Sequence, residues 1–174
     1  METGAEATPR LARITGVVYL LYFLTAASGE AFIGRGRPFA FGVFDLIAHA
    51  LYMAVTLLFF YLFRPVNRNL SVLAAIFGLA GCANDVLSRF DLAPYKISSL
   101  VFFAPYCFLI GYLIFRSGFL PRILGVLMAA AGVGWLIVLS ELASRVSTYL
   151  TILGFLAEAS LMLWLVVKGA RPLE

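Results

Sequence analysis

Six apolar runs of about 20 residues, separated by short links rich in Arg, Pro and Gly, constrain this chain more than any other feature. A helix of that length spans a hydrocarbon layer of about 30 Å, and inside that layer only helices and closed barrels satisfy every backbone polar group. The runs lie near residues 13–33, 43–63, 70–89, 96–115, 123–143 and 149–167. The links contain ordinary breakers: Gly34 to Pro38, Arg64 to Arg68, Asp91 to Pro94 and Ser117 to Pro121. Pro105 falls within the fourth run and predicts a kink there. The pattern predicts an all-α fold: a polytopic membrane protein, one compact bundle of six transmembrane helices, with residues 1–174 forming a single membrane domain.

Composition supports the same class. Hydrophobic residues make up 63% of the chain and charged residues 13%, against about 25% charged in soluble domains. Mean hydropathy is +0.99. The start, Met1 to Arg10, is acidic and carries no cleavage site after a short apolar core, so the first helix reads as an uncleaved anchor. Cys82 and Cys107 lie inside apolar runs and form no CxxC pair, which suits small buried hydrophobes.

The net charge of +4 belongs to topology, not to nucleic acid, because the basic residues are spread over the links. Arg10, Arg13, Arg64, Arg68, Arg116, Arg122, Lys168 and Arg171 fall on one side of six spans; Arg35, Arg37, Arg89, Lys96 and Arg145 fall on the other. The richer side is expected to be cytoplasmic and to hold both termini.

The second and third runs echo the fourth and fifth. Tyr61-Leu-Phe-Arg64 matches Tyr112-Leu-Ile-Phe-Arg116, and Asp85-Val-Leu-Ser-Arg89 matches Glu141-Leu-Ala-Ser-Arg145. The two units share one orientation, so the echo reads as a parallel internal repeat. The competing account is that any two hairpins of Leu, Ala and Gly look alike.

Charges inside the runs are the pointers to function. Glu158 lies ten residues before Lys168, about 15 Å of helix, so the carboxyl falls near the bilayer midplane. A carboxylate there is costly unless paired, wetted or protonated. Glu30, Asp45, Asp85 and Glu141 each lie 17 to 19 residues from the cytoplasmic end of their own runs, about 25–29 Å. They are expected to reach one outer depth as an acidic vestibule with Glu158 at its floor. His49 lies one turn from Asp45 on the same helix face. These six residues are the candidate ligand- and proton-binding set. The competing account is local: Asp85 with Arg89, and Glu141 with Arg145, are spaced to form ion pairs at helix ends. Glu158 has its own bland account, as a protonated, hydrogen-bonded packing group.

Other chemistry is disfavoured. With one His and no Cys pair, a zinc site would have to be carboxylate-heavy, and a bis-His haem within one chain is excluded. P-loop, GxSxG and HExxH motifs are absent from the sequence. No metal, cofactor or catalytic residue is expected. The aromatic residues read as packing and interface groups.

The stretch Leu109 to Leu127, with Phe115-Arg-Ser-Gly-Phe-Leu-Pro-Arg122 at its centre, resembles a bacterial family, as do Arg10 to Leu21, Tyr61 to Arg68 and Ala157 to Gly169. The family is the integral membrane group called domain of unknown function 4386, and the resemblance covers nearly the whole chain. It implies a six-span protein of the bacterial inner membrane with no established activity. It also implies an acid ending the first span, an acid early in the second and a Glu before the last Leu-Trp run, which fall here on Glu30, Asp45 and Glu158. The chain departs from the family pattern at Ile76-Phe77-Gly78, where a basic residue often stands. It is also shorter than many members in the first and third external loops.

Three function classes follow. The first is a small carrier or ligand-binding protein for a cationic solute or proton, with Glu158 as a protonatable gate. The second is a structural or regulatory subunit, including a homo-oligomer. The third, a membrane-embedded enzyme, is the weakest because no nucleophile and base can be named. Membrane lipid is the partner common to all three.

Overall fold

In the computed structural model, which describes residues 4–33, 36–93, 97–140 and 146–171, the chain is all-α. Among the described residues there are six helices: α1 (Gly4–Ile33), α2 (Pro38–Phe63), α3 (Arg68–Arg89), α4 (Leu100–Ser117), α5 (Arg122–Val138) and α6 (Ser147–Val167). Each overlaps one predicted run. Five of them, α1, α2, α3, α4 and α6, are long and apolar enough to cross a membrane. α5 is equally apolar but has 17 residues. The predicted fourth run opens at Lys96, whereas α4 begins at Leu100, after a turn at Ser99.

The helix ends follow local chemistry. Pro38 stands in the first turn of α2, where its missing N–H is harmless. The Asn67 side chain accepts a hydrogen bond from the Leu70 N–H at 3.0 Å and caps α3. Gly118, at φ 71°, closes α4 in the left-handed conformation that favours glycine. Pro105 lies in the second turn of α4, and the helix runs on through it to Ser117.

Packing runs in chain order. Each helix contacts its neighbours in sequence, and α6 closes back on α1, so the six form a ring. Small residues permit the tightest contacts. A Cβ on Gly16 of α1 would meet the backbone N of Val166 on α6 at 2.6 Å. A Cβ on Gly111 of α4 would meet the Gly125 carbonyl of α5 at 2.6 Å, and the reverse substitution is equally close.

The end of the ring that holds the start of α1 and the end of α6 is solidly apolar. Leu62, Phe63, Leu113, Ile114, Phe119, Leu161 and Leu165 are buried there. Phe63 stacks between Phe59 and Phe119, with ring centroids 5.8 Å away on each side. The outer surface is apolar as well: Ile14, Leu24, Ile76, Phe108, Leu136, Phe155 and Val167 are all exposed. Water would not tolerate so much contiguous apolar surface, and lipid would.

Candidate functional site

The opposite end of the ring is hollow. A cavity of about 340 Å³ opens there, and all six helices line it. α1 contributes Tyr22, Ala26, Gly29 and Glu30. α2 contributes Phe41, Asp45, Ala48, His49 and Tyr52. The remaining wall comes from Cys82 and Asp85 of α3, Leu100 and Phe103 of α4, Trp135 of α5 and Glu158 of α6. The helical period explains the selection. Asp45, His49 and Tyr52 recur at i, i+4 and i+7 on one face of α2, and Tyr22, Ala26 and Gly29 do so on α1.

Glu158 sits midway along α6, and its carboxylate accepts a hydrogen bond from the Tyr19 hydroxyl of α1 at 2.5 Å. Tyr52 of α2 packs beside Tyr19 at the same level. Tyr19 and Tyr52 are both buried, and their rings meet edge to face at 6.0 Å. The Tyr19 hydroxyl therefore ties the carboxyl of α6 to α1. Tyr22 and Phe103 pack on the two sides of Tyr52, at 4.8 and 5.5 Å between centroids.

Nearer the mouth, His49 links two acids. Its Nδ1 lies 2.8 Å from the Asp45 carbonyl oxygen and 3.5 Å from Asp45 Oδ2; its Nε2 lies 3.4 Å from Asp85 Oδ2. Both partners accept hydrogen bonds, so a neutral ring donates to one of them, and only the doubly protonated ring donates to both and ties α2 to α3. Arg89, the last residue of α3, places Nε 2.6 Å from Asp45 Oδ2. Its guanidinium carbon lies 4.8 Å above the Phe41 ring.

The sequence-predicted residues fall as follows. Glu30, Asp45, His49, Asp85 and Glu158 line the one cavity. Glu141 and Arg145, with their expected ion pair, lie outside the described residues. The expected Asp85–Arg89 pair is replaced. Arg89 reaches across to Asp45 on α2, and Asp85 faces His49 instead. The reason is placement: Arg89 ends α3 and Asp45 lies two turns into α2, where the two helices meet at the same mouth of the ring. Asn84 is tied elsewhere, donating from Nδ2 to the Ile97 carbonyl at 2.9 Å.

Sequence reasoning missed the aromatic walls. Tyr19, Tyr22, Phe41, Tyr52, Phe103 and Trp135 read as packing residues, yet Tyr19 positions Glu158 and the other five line the cavity. The α2 stripe of Asp45, His49 and Tyr52 was the available signal, since a Tyr one turn beyond an acid–His pair shares its face.

Residues 90–169 match the family described as domain of unknown function (DUF4386). An uncharacterised protein of Archaeoglobus fulgidus is 33% identical over 147 residues, covering 76% of this chain and 85% of its own length. The chain belongs to this family. No solved structure matches it. That similar protein is archaeal. The DUF4386 match takes in α4, α5 and α6, and hence Phe103, Trp135 and Glu158 of the cavity wall.

Proposed function

We propose that this DUF4386 protein is a small carrier or binding protein for a cationic solute, held in a cavity that opens away from the cytoplasm. The observation that carries the reading is the convergence of Glu30, Asp45, Asp85 and Glu158, from four helices, on one cavity of about 340 Å³. That size falls within the range of about 300–1,000 Å³ common to small-molecule sites. Carboxylates gathered in a low-dielectric surround attract a cation more strongly than the same groups in water. The packed apolar end of the ring closes the far side, so the cavity has one mouth.

The test is thermal stability in detergent against a panel of inorganic cations, organic amines and lipids. A ligand at 100 times its Kd stabilises the folded state by about 2.7 kcal/mol, a shift of several degrees in a chain of this size. Cations should stabilise the wild type, and Asp85→Asn should weaken that response on the order of tenfold. Stabilisation by lipids alone would remove the cation reading.

The topology that fits this function has six spans, with α5 as the fifth. Both termini then face the cytoplasm and the cavity faces out. Support comes from the excess of Lys and Arg on the side of the termini. A reporter active only outside the cytoplasmic membrane, fused after Glu174, should be silent; strong activity would invert the orientation. We also read α2–α3 and α4–α5 as a parallel repeat, supported by the echoing sequences and by both pairs being neighbours in the ring.

A further inference from the structure

The cavity wall carries two chemistries, and the acids are only one of them. A small inorganic cation seeks oxygen ligands on all sides. Here the rings of Tyr22, Phe41, Tyr52, Phe103 and Trp135 occupy much of the wall. Aromatic faces suit a weakly hydrated organic cation, which gains cation–π attraction on them and apolar contact for its body.

The chain displays one such cation at the mouth. The Arg89 guanidinium lies over the Phe41 ring, 4.8 Å from its centroid, with Nε 2.6 Å from Asp45. Phe41 and Asp45 belong to the wall, whereas Arg89 reaches them from the rim at the end of α3. Arg89 also has somewhere else to go. Asp85 stands four residues back on the same helix, the spacing at which acid and base pair along one face. Leaving Asp45 for Asp85 would keep its charge compensated.

We propose that the ligand is a small organic cation with an amidinium or guanidinium head on a flat apolar body, and that it binds Asp45 and Phe41 in place of Arg89. This rests on the cation-binding reading and names the class of cation. Arg89 is then a tethered competitor. Ligand arrival shifts it to Asp85, where its charge no longer caps the mouth.

Benzamidine is the probe, with sodium and tetramethylammonium for comparison. The full-length protein has two tryptophans, so Trp164→Phe leaves Trp135 on the cavity wall as the fluorescent reporter. Benzamidine should bind more tightly than either comparison ion. Arg89→Gln should tighten benzamidine binding by about tenfold, the scale of one removed competing charge contact. Arg89→Lys keeps the charge but loses the flat stack on Phe41, and should tighten it less. Phe41→Leu should weaken benzamidine binding severalfold and leave the sodium response unchanged. This last variant retains both Arg89 and Asp45, so it stands as a test even where Arg89→Gln does not fold.

Unchanged or weaker benzamidine binding in folded Arg89→Gln would overturn the competitor role. A response to sodium or tetramethylammonium without one to benzamidine would overturn the ligand class while leaving the cation-binding function standing. Silence toward all three would remove both.

Discussion

Gly111→Leu should leave little folded protein. The α4·α5 contact is the most extensive in the ring, and its closest point is Gly111 against Gly125. A Cβ on Gly111 would lie 2.6 Å from the Gly125 carbonyl oxygen and 2.7 Å from the Ala129 backbone N. Both are main-chain atoms, so no side-chain rotation relieves the clash, and the helices must separate. Overpacking of well-packed sites costs about 1–3 kcal/mol, and backbone contacts fall at the upper end or beyond. The apparent melting temperature should drop by roughly 10 °C, with heavy losses on extraction. Gly42→Ala is the matching control. It lies within α2, and a Cβ there meets nothing within 4 Å. It should be neutral or stabilise by a few tenths of a kcal/mol up to about 1, the difference in helix preference. Equal stability of the two variants, measured by thermal aggregation, would show that the α4·α5 crossing does not depend on close backbone contact.

These packing relations lay beyond the sequence, whereas the helices did not. Apolar runs ended by Arg, Pro and Gly locate a membrane helix because length and polarity are read along one chain. The acids were legible for the same reason: a charge within an apolar run stands out wherever it points. What they point at depends on which helices meet, and that is decided by ring closure between α1 and α6. Arg89 shows the difference. Spacing along α3 pairs it with Asp85, but the nearer carboxylate in space is Asp45 of another helix. Tyr19 shows it too. In sequence it is one aromatic among many, and only the approach of α1 to α6 makes it the donor to Glu158. Glu158 itself was recognisable from the single rule that an ionisable group deep in a hydrocarbon layer requires a partner. The identity of that partner required the fold.

Glu158→Gln should keep the fold and uncouple cation binding from protons. Gln retains an oxygen that can accept from the Tyr19 hydroxyl, as the carboxylate does at 2.5 Å, so the link between α1 and α6 persists. The charge does not persist. In the wild type, a cation favours the ionised carboxylate, and a proton on that carboxylate disfavours the cation. Cation affinity should therefore fall as pH falls, and binding should release a proton into a weakly buffered solution. The Gln variant should bind on the order of tenfold more weakly at neutral pH, near the value of one charge contact, and release no proton through this position. His49, Glu30, Asp45 and Asp85 face the same cavity, and His49 is the one whose ordinary range lies near neutrality. A His49→Gln variant measured in parallel separates the two. If proton release survives Glu158→Gln and vanishes in His49→Gln, the proton belongs to the His49 bridge at the mouth. If it vanishes in Glu158→Gln alone, the carboxyl at the floor is the coupling group, and Tyr19 is the donor that holds it there.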